Sequence, residues 1–248
     1  MPARLALLCL PCAGASATMY LRWRRLLPTW VAVQPIELPG RGSRLGEPFA
    51  ERFDALVEQL CDEHRGALAG PCALLGHSMG ALLAYGMTRR LQAQGMTLPR
   101  LLIVSGSPAP SRRDQERYAG RHDDERLLDD LRRQGGTPPD VFAHPELLRM
   151  TLDTLGADYR ICDSFRQASD PSLPRLPVPL QVLAGREDDI APARIRAWSE
   201  EIAGPYGEDW FDGGHFFIRH SEQEVLRTLT RRLQGAVPGG THETHAIA

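Results

Sequence analysis

The sequence predicts an α/β protein with a mostly parallel central sheet flanked by helices and a helical segment inserted late in the strand order. Three observations point there. Short apolar runs of strand length recur along the 248 residues, separated by helix-forming stretches, which is the pattern of strands joined by crossover helices. The pentapeptide Gly76-His77-Ser78-Met79-Gly80 lies between one such run, Cys72 to Leu75, and the helix-forming Ala81 to Arg90, so it reads as a sharp strand-to-helix turn of G-x-S-x-G form. From Ala109 to about Pro177 strands give way to charge-dense helical sequence, after which the strand pattern resumes.

Taken in order, Leu5 to Leu10 is the first buried strand, and it leads into Pro11-Cys12-Ala13-Gly14-Ala15-Ser16, a loop of small side chains able to present backbone N–H groups. Met19 to Leu27 reads as a helix with Met19, Trp23, Leu26 and Leu27 on its apolar face and Arg22, Arg24 and Arg25 outward, ended by Pro28. Val31 to Leu38 is the second strand, closed by the turn Leu38-Pro39-Gly40-Arg41-Gly42. Phe53, Leu56, Val57 and Leu60 recur at helical spacing and lead into the strand before Ser78. Leu101 to Val104 is a further strand. Within the insertion, Glu125 to Arg133 and Pro145 to Leu155 are helices broken by Gly135-Gly136-Thr137-Pro138-Pro139. Leu180 to Ala184 returns to strand and runs into Gly185-Arg186-Glu187-Asp188-Asp189-Ile190. Ile195 to Ile202 is then a helix, Trp210-Phe211 closes a last short strand, and Glu222 to Leu233 is the C-terminal helix. Residues 1–234 are expected to form a single domain, with the segment at about 109–177 as a lid more mobile than the sheet. Residues 235–248 lack apolar periodicity and are expected to be a disordered tail.

A net charge of −2 gives no global signal for nucleic acid, which is not expected as a partner. All 29 cationic residues are arginine, which excludes a Schiff-base or P-loop lysine. The five cysteines are odd in number, mostly set in apolar runs and without metal-ligand spacing, as expected of reduced core residues in a cytoplasmic protein. Arg4, the run from Leu5 to Leu10 and the small residues that follow have the outline of a secretory signal, but the run is short for one. No stretch approaches the about 20 apolar residues of a membrane span. His242-Glu243-Thr244-His245 is not the H-E-x-x-H zinc pattern, and neither metal nor cofactor is expected.

In the G-x-S-x-G turn the serine backbone is forced into a strained conformation, so the flanking glycines answer a demand for space. Ser78 is the candidate nucleophile. A serine hydroxyl needs a base to take its proton and a carboxylate to orient that base. The α/β-hydrolase fold places these in the order serine, acid, histidine. Ser78, Asp188 and His215 obey that order, each just after an expected strand. Asp188 is preferred to Asp189 and Glu187 because it stands three residues after Gly185 and four before Pro192, with Asp189 the main rival. Gly213-Gly214 leave His215 free to be aimed, whereas His220 falls in a helical stretch. Oxyanion stabilisation is expected from the backbone N–H groups of Met79 and, in the loop after the first strand, Ala13. His77 is expected to pack beneath the turn.

The loop from Pro11 to Ser16, Glu37-Leu38-Pro39-Gly40-Arg41-Gly42, the serine turn, Pro145-Glu146-Leu147-Leu148 through Ala157-Asp158-Tyr159, and Gly213-Gly214-His215-Phe216-Phe217 together resemble the type II thioesterases, discrete editing enzymes of polyketide and nonribosomal peptide synthesis. Cys12 and Ala15 stand where that family more often has an aromatic or histidine and a glycine. The resemblance implies hydrolysis of stalled acyl or aminoacyl groups from the phosphopantetheine arm of a carrier protein, which would be the partner. Carrier domains are generally acidic, so arginines near the entrance are expected, with Arg22, Arg24, Arg25, Arg112 and Arg113 as candidates. The residues alone also admit a carboxylesterase or lipase, or a hydrolase fold serving only to bind a partner.

Overall fold

The inner strands of the sheet are buried on both faces, which is why their segments read as nearly continuous apolar runs, whereas the edge strands at Val31–Pro35 and Tyr206–Phe211 are only partly buried. The computed structural model describes residues 5–114, 117–118, 123–166 and 174–237. Its elements run β1 (Leu5–Leu10), α1 (Trp23–Leu26), β2 (Val31–Pro35), α2 (Phe53–Glu63), α3 (Arg65–Leu68), β3 (Cys72–His77), α4 (Met79–Ala93) and β4 (Leu101–Ser105). Then follow α5 (Asp124–Gln134), α6 (Pro139–Ala143), α7 (Pro145–Ser164), β5 (Leu180–Gly185), α8 (Pro192–Arg196), β6 (Tyr206–Phe211), α9 (Phe217–His220) and α10 (Glu222–Gln234). The tail expected beyond Gly235 falls, from residue 238 onward, outside the described residues.

The sheet order is β2-β1-β3-β4-β5-β6, and each of these neighbouring pairs is parallel. Side chains alternate between two core layers with the period of two that a strand imposes. Leu8, Leu10, Leu74, Leu102, Val104 and Val182 pack with α2 and α4 on one face. Leu5, Leu7, Leu75, Ile103 and Leu183 pack with Trp23 and the apolar stripe of α10 on the other. The chain steps from β1 outward to β2 and then back past β1 to β3, so the strand order reverses between β1 and β3. In parallel sheets the crevice at the C-terminal ends of strands flanking such a reversal is where ligands bind. Here it lies between the loop at 11–16 and the Ser78 turn.

Four elements differ from the sequence reading, one of them, α7, in the insertion. The expected helix from Met19 to Leu27 is two pieces, a tight 3-10 turn at Ala17–Tyr20 and the single turn of α1, and Leu26 is exposed, not buried. Tertiary contacts break it: Tyr20 sends its hydroxyl to the Leu10 carbonyl at 3.0 Å, and Trp23 meets Glu222 of α10 at 3.2 Å. The second strand stops at Pro35, and the helix expected over Ile195–Ile202 is α8 followed by a 3-10 turn at Ala197–Glu200.

The insertion between β4 and β5 is helical as expected, and α5 carries its own signals. Asp123 caps it by accepting the Arg126 N–H, and Gly135 closes it at φ 70°. Leu127, Leu131, Leu152, Leu155 and Tyr159 form a small core between α5 and α7. The helix expected to end at Leu155 continues through Ser164, and that added length is anchored elsewhere. Ile161 and Cys162 join the main core, and the Ser164 hydroxyl accepts the Phe53 N–H of α2 at 2.8 Å. Helices α5 and α6 depend on a few apolar contacts, whereas the second half of α7 belongs to the body. Hydrogen exchange is therefore expected to be faster over 124–143 than over 155–164. Equal protection in both spans would show a cap held as firmly as the core.

Candidate active site

Ser78 sits between β3 and α4 at φ 54° and ψ −113°, the one positive φ outside glycine among the described residues. Its flanks explain the motif. A Cβ on Gly76 would lie 1.9 Å from the Gly80 carbonyl oxygen, and one on Gly80 would lie 2.2 Å from that of Leu10. No side chain fits at either position. The turn is held from β4 by the Ser78 N–H, which donates to the Ser105 carbonyl at 2.7 Å. Met79 is the first residue of α4, where an N–H has no acceptor within its own helix. The close approach of Gly80 to Leu10 and Pro11 brings that helix start against the loop carrying Ala13.

Asp188 and His215 come from the loops after β5 and β6, as their positions in the chain predict. Those loops touch because Gly185 has no side chain: a Cβ there would lie 2.6 Å from the carbonyl oxygens of both Gly213 and Gly214. The Glu187 N–H donates to the Gly213 carbonyl at 3.1 Å, and Gly213 itself sits at φ 107°. In this frame His215 Nδ1 donates to Asp188 Oδ2 at 2.9 Å. Asp189 and His220 are exposed. With Nδ1 committed to a carboxylate, Nε2 is the nitrogen left to accept a proton. Ser78 and His215 line one cavity, and among the described residues no hydrogen bond joins their side chains. Such contacts often tighten only when substrate is bound.

His77 lies beneath, fully buried, its ring 5.1 Å from that of His215, with Nδ1 2.9 Å from the Ser105 hydroxyl. Among the described residues its Nε2 has no hydrogen-bond partner, and burial pushes its imidazole well below the usual 6.5. The five cysteines are buried and free. Burial pushes the thiols of Cys12, Cys61, Cys72 and Cys162 up to about 11, so none offers a thiolate at neutral pH. Ala15 needs no positive φ, because the loop turns at Gly14, which takes φ 74°.

The cavity at Ser78 is only about 20 Å³, room for one water molecule. Arg113, Arg117, Tyr118 and Arg194 form much of its wall. Of the arginines singled out from the sequence, Arg113 alone lines it. Arg22, Arg24 and Arg25 are exposed and do not line it, and Arg112 pairs with Glu200 at 3.0 Å. Arg117 and Arg194 were not visible as site residues, since nothing in their local sequence marks them. A larger pocket of about 220 Å³ opens beside Ala13, under α5 to α7 and against Phe216 and Arg219.

Comparison with known proteins matches the fold and the sequence. The α/β sheet with its serine turn is the α/β-hydrolase fold, shared with the type II thioesterase BorB of a borrelidin biosynthetic cluster at a TM-score of 0.82 and 38% identity over 94% of this chain and 95% of that one. The thioesterase domain model matches residues 6–233. The chain therefore belongs to the thioesterase family, and it is a hydrolase acting on thioesters. Thioesterase PikA5 of Streptomyces venezuelae is 32% identical over 92% of this chain and 80% of its own length. The Brevibacillus parabrevis protein named linear gramicidin dehydrogenase LgrE is 32% identical over 92% of this chain and 87% of its own. The latter is named for a different reaction, so the family assignment rests on the model match and on the other two.

The buried imidazole gives a prediction. The fold keeps His77 neutral while the unfolded chain protonates it near 6.5, so acidification below that value favours unfolding. Stability is expected to fall between about pH 7 and about pH 5, His77 contributing at most about 1.4 kcal/mol per pH unit. Urea unfolding of His77→Asn should show a shallower slope over that range. An unchanged slope would mean that His77 takes its proton without leaving the folded state.

Proposed function

We propose that this thioesterase clears acyl or aminoacyl groups from the phosphopantetheine thiol of carrier proteins through an acyl-enzyme on Ser78. The observation that carries the reading is the His215–Asp188 bond at 2.9 Å, opening on the same cavity as a serine held in a strained turn. Asp188 fixes the imidazole with Nδ1 protonated, so Nε2 takes the Ser78 proton as Oγ attacks the thioester carbonyl. The negative oxygen is met by the N–H groups of Met79 and Ala13. The C–S bond then breaks, the thiol leaves with the proton held by His215, and water activated by the same nitrogen releases the acid.

The carrier-protein substrate is supported by the relatives. BorB comes from a biosynthetic cluster, and ClbQ, 26% identical with a TM-score of 0.86, comes from the colibactin NRPS/PKS pathway. Among the described residues no helix is long and apolar enough to cross a membrane. Free, buried cysteines fit a cytoplasmic setting shared with carrier proteins. Within a single domain of residues 1–234 the segment at about 109–177 serves as a lid, movable at α5 and α6, because Arg113, Arg117 and Tyr118 of that segment wall the cavity at Ser78.

For the triad, Asp188→Asn is expected to lower kcat by about four orders of magnitude, as loss of the carboxylate leaves the wrong tautomer, while Asp189→Asn changes it little. The opposite ranking would move the acid to Asp189. For the substrate, kcat/KM on an acyl-carrier protein should exceed that on the matched small-molecule thioester, because only a partner surface supplies that increment. Salt should erode the advantage, and so should Arg22→Glu with Arg25→Glu, leaving small-thioester turnover intact. Equal efficiency on both, with turnover of glycerides, would favour a lipase instead.

A further inference from the structure

An ion pair that the triad does not use grips the loop after β1. Arg41, in the turn after β2, and Asp158, in α7, are 6% and 1% exposed and meet through two bonds of 2.6 Å each. Charges removed from water this completely require further polar partners. Those partners are in the loop. Asp158 Oδ2 also accepts the Gly14 N–H at 2.8 Å, and Arg41 Nη1 donates to the Ala15 carbonyl at 3.2 Å. A Cβ on Gly14 would lie 3.4 Å from Leu155 Cδ1, so the face of α7 that binds the Gly14 N–H also covers its α-carbon.

These contacts bracket Ala13. The Asp158 bond fixes the peptide between Ala13 and Gly14. The Ala15 N–H, donating to the Cys12 carbonyl at 3.1 Å, fixes the peptide between Cys12 and Ala13. The far end of the loop is held where the Ala17 N–H donates to Glu37 Oε1 at 3.0 Å.

We infer that Arg41 and Asp158 are positioning residues for thioester hydrolysis: by bracketing Ala13 they hold its N–H toward the reacting carbonyl, and they complete the oxyanion hole only while α7 is docked. The inference rests on the oxyanion role given to Ala13 above. Asp158 touches no reacting atom. It acts through the loop, so its removal weakens transition-state binding more than substrate binding.

The test compares wild type with Asp158→Asn, Arg41→Met, and the double variant Arg41→Met/Asp158→Leu, which replaces the pair with apolar volume. Each is assayed with an acyl-N-acetylcysteamine thioester, by thermal melting, and by inhibition with butylboronic acid, whose tetrahedral serine adduct places an oxygen where the oxyanion forms. In Asp158→Asn and the double variant kcat is expected to fall by about tenfold or more, with KM held within about threefold and boronic acid affinity falling alongside kcat. The double variant should regain melting temperature without regaining kcat. Recovery of both together, or wild-type boronic acid affinity in a folded Asp158→Asn, would reduce the pair to a structural tie and overturn the inference. If butylboronic acid fails to inhibit wild type, or inhibits Ser78→Ala equally, the oxyanion reading itself falls and this inference with it.

Discussion

The site depends on one backbone conformation, that of Ser78 at φ 54° and ψ −113°. A non-glycine residue there costs about 1–3 kcal/mol and persists only where its surroundings leave no alternative. Here the surroundings do so by contact. Gly76 and Gly80 lie so close to neighbouring carbonyls that no Cβ fits, and β4 holds the Ser78 N–H. The strain lifts the serine to the C-terminal edge of the sheet and aligns the start of α4 with the loop after β1. Much of the site's geometry follows from that placement.

Asp188 and His215 reach the same edge by a second close packing. Gly185 lets the loop after β5 touch the loop after β6, and that contact sets the separation of Asp188 from His215. Two pairs of loops, each closed by glycine, thus bring groups from four strands to one edge of the sheet. The helical insertion is the part with two attachments. Its α7 is tied into the body through Ile161, Cys162 and Asp158, while α5 and α6 lean on a smaller core of their own. A segment built this way can move at one end while the other keeps the loop beside Ala13 in register.

What the sequence made legible follows from the range of the forces involved. Strands β1, β3, β4 and β5 were readable because both faces are buried and their residues are apolar but for Gln181 and the strand-end His77 and Ser105. The serine turn was readable because steric exclusion acts between neighbours and leaves glycines at fixed spacing. The broken helix after the first loop was not, since Tyr20 and Trp23 answer to Leu10 and Glu222 instead of to their own helix. Nor was the full length of α7, because Asp158 reads as a polar interruption until its partner, 117 residues away, is known. Arg117 and Arg194 were silent for the same reason: they become cavity walls only when the insertion folds across the sheet.

The central claim is that Ser78 carries the acyl group between thioester and water. Acid-quenched samples of the enzyme turning over an acyl-carrier protein, digested and read by mass spectrometry, test it most directly. The account predicts the acyl mass on the peptide containing Ser78, and its loss in Ser78→Ala. Steady turnover with no adduct at any time, or an adduct on another residue, would contradict it.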